Sequence, residues 1–447
     1  MKKQLYTIAL ALFTIGCQGF LDEKPVKSLI IPQSLADLQA LMDDEFLMNT
    51  APGLPVIMSD DFLLQEGVWQ SASSATARNG YIWADDLYEG GSNADWTKAY
   101  EQVFYSNLVL ETLPTITRTN NNANQYDQIK GSAMFNRALA YYHLLTQFAA
   151  MEQDGPAFDQ YGLVFRETAA IESNPVRITV KESYDFIENE LNEALELLQP
   201  LNNFSTRPSK ASVYALLARL YLYRGDFVKA EWAALEGLSL MDNLIDYNDV
   251  NPSLANPFPR FNPEVIFQEE LVFYAVHINA DVPEGVYGLY EGNDLRKSTF
   301  FDVNQSTGRI RFKGSYNGSV TLFGGFTTAE LFLILAESQV RNGNIQDGLA
   351  TLNHFLVKRY SSGDFEAFKS NDVEESLRFI FLERRKEFVF RGHRWYDLRR
   401  LNHEDAFKET LTRNIANSIY TLEPNSSFYI LPIIDLEIQT YGLLQNP

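Results

Sequence analysis

The sequence predicts a mostly α fold in which helical hairpins stack into an α-α superhelix and irregular, loop-rich insertions cover one side. Three observations carry that prediction. The first is the stretch 211–238, where Val213, Leu216, Leu217, Leu220 and Tyr221 recur at three- and four-residue spacing, so one stripe of a helix faces something buried. Arg224-Gly225-Asp226 then breaks the pattern, since Gly accepts the left-handed end of one helix and Asp caps the next. A second amphipathic run follows at once. Ala218 and Ala230 stand seven positions before and five after Gly225, where small side chains let two antiparallel helices approach closely. The second observation is the return of this layout at 331–353, with Ala336, Gly343 and Gly348 at the same offsets. That is a two-copy repeat of tetratricopeptide type, whose hairpins stack because neither buries its face alone. The third is the loss of helical period over 50–95 and 241–326, where Gly, Pro and aromatic residues take over. The second of these stretches is too long to be a mere connector.

From the N-terminus, Met1-Lys2-Lys3 and the apolar run 5–15 read as a signal peptide over residues 1–16, too short for a permanent membrane span. Cys17, the only cysteine, follows Gly16 and reads as a lipidation site, although Thr14 stands where such signals usually carry Leu. Removing 1–16 takes away two lysines and no acid, so the formal charge moves from -21 to -23. A chain this acidic is repelled by nucleic acid and by an anionic membrane surface. With one cysteine there is no intramolecular disulfide, and 45% hydrophobic content supplies the core instead. Residues 17–447 read as one domain, with the helical scaffold mainly in 96–240 and 327–400.

Within that domain, 34–44 predicts a short capped helix, and 69–95 an irregular loop. Residues 96–113 predict the first long helix and 128–149 its antiparallel mate, separated by the polar Asn120-Asn121-Asn122. Another amphipathic helix spans 181–199, entered from Thr179 as cap and ended by Pro200. Short strands are expected at 264–270 and 309–313, a further helix at 373–390, and a mostly extended segment at 424–438. The whole amounts to four helix pairs.

Several blocks carry a family resemblance. They are Cys17 with Phe20-Leu21-Asp22 and Pro25; Trp96, Tyr100 and Asn107; Gly131 through Ala138; and Ala218 through Tyr223 with Gly225-Asp226. Ala329-Glu330 with Leu335-Ala336-Glu337, Glu383 through Phe388, Arg391 through Arg400, and Leu431-Pro432-Ile433 continue the order. Together they are similar to the SusD/RagB family, with Arg391 and Leu431 departing from its usual residues. The resemblance implies a SusD-like superhelix and a lipid-anchored protein of the outer membrane, exposed at the cell surface. It also implies a nutrient-binding role without catalysis, beside a partner TonB-dependent transporter of SusC type. The implied cargo is a glycan or another oligomeric nutrient. The alternative is an extracytoplasmic peptide- or protein-binding scaffold that uses the repeat groove.

Contacts to a ligand are sought in the two aromatic-rich insertions, because flat rings pack on the apolar faces of sugars while single polar groups set orientation. The residues named on that ground are Trp69, Arg78, Tyr81 and Trp83 in the first, and Tyr287, Tyr290, Asn293 and Arg296 in the second. Trp96 begins a periodic helix and belongs to the scaffold. The charged block 383–400 alternates acids, arginines and apolar residues at spacings that allow pairing along a helix, which predicts a salt-bridge knot rather than an anion site. Asp60-Asp61 and Asp85-Asp86 are neighbours in sequence, an arrangement that seldom gives the separated carboxylates of a glycosidase. No nucleophile-elbow, zinc-protease, P-loop or dinucleotide motif occurs, and the five histidines lack metal-ligand spacing. No cofactor is expected beyond lipid at Cys17. A structural calcium ion has no locatable site.

Overall fold

The computed structural model describes residues 32–170 and 172–447. Cys17, the leader before it and the segment through Ile31 lie outside the described residues. The helices that carry the architecture are α1 (Leu35–Met42), α2 (Ala94–Thr112), α3 (Ala123–Phe148), α4 (Val180–Leu197), α5 (Lys210–Arg224) and α6 (Phe227–Leu240). They continue with α7 (Thr328–Arg341), α8 (Ile345–Leu356), α9 (Val373–Glu387), α10 (His393–Leu401) and α11 (Asp435–Tyr441).

The helix ends follow local chemistry. Ser34 and Asp37 form a capping box at α1, and Thr179 and Glu182 form another at α4. Gly225 ends α5 at φ 84, its N–H donating to the Leu222 carbonyl while the Asp226 N–H donates to Tyr221. Gly343 repeats this after α7 at φ 91, with its N–H on Val340 and that of Asn344 on Gln339. Both turns are Schellman closures, which need a left-handed residue at that position. The Asp226 side chain accepts from the Lys229 N–H and so starts α6.

The hairpins α5/α6 and α7/α8 stand side by side although 241–326 separates them in sequence, because α6 packs directly on α7. Ala218, Ala230 and Ala336 are fully buried at the crossings. At the N-terminal side, α3 is shared: α2 lies against one flank and α4 against another, in place of two independent pairs. Trp96 does belong to the scaffold, with its ring centroid 4.7 Å from Tyr100 and 4.9 Å from Phe148. Among the described residues no helix is long and apolar enough to cross a membrane.

The insertions hold more structure than their composition suggests. Short helices occupy Leu54–Met58, Glu66–Gln70 and Ala75–Tyr81 in the first, where an irregular loop was expected. In the second, Val265–Phe267 pairs antiparallel with Phe326–Thr327, and Phe301–Val303 with Ile310–Phe312, so both expected strands form in shortened versions. Phe267 reaches Phe135 of α3 at 5.1 Å, and one apolar core runs through scaffold and insertions alike. Leu411–Ile415 and Ser418–Leu422 form a hairpin with no sequence forecast. Its two-residue turn is Ala416-Asn417, both with φ above 50, where Gly usually advertises such turns. Residues 424–438 are not mainly extended either, since Ser427–Tyr429 is a helical turn and α11 begins at Asp435.

The knot at 383–400 exists, but most of its pairs span elements rather than one helix. Arg384 and Arg400 both donate to Asp397, at 2.8 and 2.9 Å, and Arg400 also donates to Glu337 of α7 at 2.8 Å. Arg385 donates to Asp60 and Asp61 at 2.8 and 2.9 Å, and Arg394 to Asp60 at 2.8 Å. Burial raises the Asp60 carboxyl, but Arg394 and Arg385 outweigh it and hold Asp60 well below the usual carboxylate range. The adjacent acids 60 and 61 therefore anchor α9 and α10 to the first insertion.

Candidate ligand cleft

A cleft of about 470 Å³ opens in the second insertion, within the size range of small-molecule sites. Three segments far apart in sequence bound it: Ser253 to Asn256, His277 to Ala280, and Arg311 to Leu322, with Phe390 below. The strand pair Phe301–Val303/Ile310–Phe312 sets the wall, with Asp302 opposite Arg311 in the ladder. Asn304 accepts from the N–H groups of Ser306 and Thr307 and Gly308 takes φ 70, which turns the chain. A Cβ at Gly314 would collide with the Phe300 ring, so the wall hugs the core there. Phe312 stacks on Phe390 at 5.1 Å and 17°, giving the floor its rigidity.

Basic and apolar residues alternate through Arg309-Ile310-Arg311-Phe312-Lys313, so the cations share one face of an extended chain. Arg309 donates to Asp281 at 2.8 Å, while Arg311 stands 3.9 Å from the same carboxylate. Lys313 donates to the Pro252 carbonyl and has no carboxylate partner among the described residues. The His277 ring lies at the base with Nε2 lacking a hydrogen-bond partner among the described residues, and burial drives its pKa down to about 4. It is uncharged at neutral pH. Leu254, Ile278 and Val320 expose half or more of their surface at the rim. Among the described residues no group of three or more His, Cys, Asp or Glu is placed to hold a metal ion.

None of the eight residues named from sequence lines this cleft. Four are interior, because the fold uses their polar atoms. Tyr81 accepts from the Leu64 N–H at 3.0 Å, and Trp83 donates to the Met58 carbonyl at 3.0 Å. Tyr290 donates to the Lys386 carbonyl at 2.7 Å. Arg296 has no exposed surface and grips Asp294 with two donors at 2.8 and 2.9 Å. The other four are partly accessible. Trp69 donates to the Arg78 carbonyl at 2.9 Å, and Arg78 pairs with Glu89 at 2.7 Å, so these two form one surface unit. Tyr287 lies 4.7 Å under the Lys297 ammonium, and Asn293 donates to the Asp364 carbonyl at 3.0 Å. Sequence reasoning passed over Arg311 and Lys313, whose signal was the period-two basic pattern in a strongly acidic chain.

A second concavity of about 810 Å³ runs along α2, lined by Trp96, Tyr100 and Phe104 and by Leu436 and Tyr441 of α11. Phe46 and Leu436 at its edge are 92% and 70% exposed.

A fixed frame of helical hairpins that carries a solvent-open, loop-built cleft is the architecture of a binding scaffold. Residues 19–222 match a SusD-like family model described as starch-binding associating with outer membrane, and residues 325–447 match the SusD family model. Together these matches cover most of the chain, which belongs to the SusD/RagB family. SusD-like protein P2 of Formosa agariphila is 25% identical, with the alignment covering 100% of this chain and 99% of that one. The solved structure of a SusD superfamily protein from Bacteroides thetaiotaomicron superposes with a TM-score of 0.76 at 17% identity, covering 93% of this chain and 100% of that one. A SusD-like carbohydrate binding protein from Bacteroides vulgatus gives 0.72 at 20% identity, over 92% and 98% of the two chains. As a member of the family this chain is a binding protein and not an enzyme, and its place is the outer membrane.

Proposed function

We propose that the protein captures a carbohydrate at the cell surface and hands it to a partner TonB-dependent transporter of SusC type. The observation that carries this reading is the ordered match of two SusD-family models to the two ends of the scaffold, one of them described as starch-binding. The loop-built cleft supports it, since it offers apolar rim residues beside hydroxyl, amide and cationic groups. Trp69, Arg78, Tyr287 and Asn293 are the sequence-named residues still accessible to cargo, and the indole of Trp69 is tied to the Arg78 carbonyl. Lipid on Cys17 keeps the protein near the membrane plane, where the partner meets it at high effective concentration. The exposed apolar groove along α2 favours docking of a protein segment, and it supports the alternative of a peptide- or protein-binding scaffold.

Affinity electrophoresis on a panel of polysaccharides tests the main reading. Retarded migration in at least one gel is the expected result, with retardation reduced by Trp69→Ala if that ring touches cargo. Unretarded migration of folded protein through every gel would overturn carbohydrate capture.

A further inference from the structure

We infer that the cargo of the cleft is an anionic glycan, one whose sugars carry carboxylate or sulfate groups, and that Arg311 and Lys313 are the residues that read its charge. This rests on the carbohydrate-binding reading above and specifies its substrate class.

The charge distribution is the starting point. Acids outnumber bases by 21 in the whole chain, yet the groups at this wall run the other way. Arg311 and Lys313 line the cleft with Asp302 and a neutral His277, while Arg309 and Asp281 form a pair beside them, so the corner carries one surplus positive charge. Asp281 is committed to Arg309 at 2.8 Å. Arg311 is left with long contacts, 3.9 Å to Asp281 and 3.4 Å to the Ile278 carbonyl, and no ion pair within 4.0 Å joins it to Asp302 across the ladder. Its guanidinium therefore keeps donors free for an incoming oxyanion, in the planar fork that matches carboxylate or sulfate oxygens. Lys313 adds a point charge two positions along the same face.

The rest of the lining suits the sugar rather than its charge. Leu254, Ile278 and Val320 are exposed to water at the rim and can cover the apolar faces of a ring. Ser253, Asn256 and Ser319 supply neutral donors and acceptors around them. Meanwhile the net charge of the molecule repels polyanions at a distance. Retention of an acidic glycan would therefore have to come from a local cluster. This wall brings a loosely held arginine and a lysine without a carboxylate partner among the described residues to a cavity, whereas Arg378, Arg385, Arg394 and Lys408 around another cavity are each paired with a carboxylate.

The test uses the mature chain in affinity gels containing, separately, neutral polysaccharides, a uronate-bearing polysaccharide and a sulfated polysaccharide. The two acidic gels separate carboxylate from sulfate recognition. Retardation by at least one of them is expected, weakened about tenfold or more by Arg311→Gln with Lys313→Gln, as befits loss of charge-assisted hydrogen bonds. It should also weaken as salt rises from about 0.1 M to 1 M, where the screening length shrinks from roughly 10 to 3 Å. Both residues are partly exposed, so an unchanged thermal midpoint checks that the variant is folded; Lys313→Glu alone gives a second, charge-reversing readout in the same direction. Retardation only in neutral gels, or acidic retardation indifferent to the substitutions, overturns the charge assignment and leaves carbohydrate capture standing. Retardation in no gel overturns both.

Discussion

Glu269 and His143 sit in an environment that opposes their charged forms. Glu269 has no solvent exposure, neither carboxylate oxygen has a hydrogen-bond partner among the described residues, and the nearer one lies 3.8 Å from His143 Nε2. Burial pushes the Glu269 carboxyl up to about 8, only partly opposed by Arg219, and burial likewise pushes His143 down to about 3. An acid raised in the folded state is most favourable below its ordinary pKa of 4.5, and its contribution is lost as pH rises toward 8. The loss is about 1.4 kcal/mol for each pH unit across that window. Glu269→Gln is therefore expected to raise the thermal midpoint at pH 7.5, with the gain shrinking toward pH 4.5. A midpoint difference that stays constant with pH would refute this. On the acid side, His143 and His277 stay neutral when folded, so they withdraw stability as pH falls below 6.5. Glu337 acts later in the same direction: burial raises its pKa, Arg400 and Arg341 more than reverse that, and the resulting value of about 2 means its stabilisation fades below 4.5.

At the scale of elements, the two glycines of the second hairpin do different jobs. At Gly343 a Cβ would meet nothing within 4 Å, and the requirement is the left-handed backbone at φ 91. At Gly348 a Cβ would stand 2.6 Å from Val340 Cγ2 and 2.7 Å from the Ala336 carbonyl, so α7 and α8 would have to part. Gly343→Ala is expected to cost about 1 kcal/mol from backbone strain. Gly348→Ala should cost more, in the range of about 1–3 kcal/mol for overpacking. Urea unfolding midpoints decide between them, and equal or inverted costs would mean that the helix crossing is looser than the geometry implies. The same crossing chemistry recurs where α6 meets α7, since a Cβ on Gly237 would come 2.7 Å from Leu331 Cδ1.

For the whole molecule, one apolar core joins the helical frame to both insertions. The ion pairs of α9 and α10 reach back more than 300 residues to Asp60 and Asp61, so the first insertion is held against these two helices. The proposed lipid on Cys17 predicts that Cys17→Ser releases the protein from the membrane fraction into the soluble fraction. Co-purification from detergent-solubilised membranes should recover a large β-barrel partner with the wild-type chain. A substituted protein that still sediments with membranes would show that something other than lipid holds it there.

The amino-acid order by itself determined the hairpins, their caps and the two repeat crossings, because apolar spacing, Gly225, Asp226, Gly343 and Gly348 act over one or two helical turns. It also carried the blocks that identify the family. It could not say which aromatic residues face water: Tyr81, Trp83 and Tyr290 share the composition of a ligand platform, and only long-range hydrogen bonds to Leu64, Met58 and Lys386 make them interior. The hairpin through Ala416-Asn417 stayed hidden because its turn lacks the usual glycine. The cleft was decided by tertiary structure alone. Its walls come from three separate segments, and a cavity arises from how distant parts of a chain meet, a property no local pattern records.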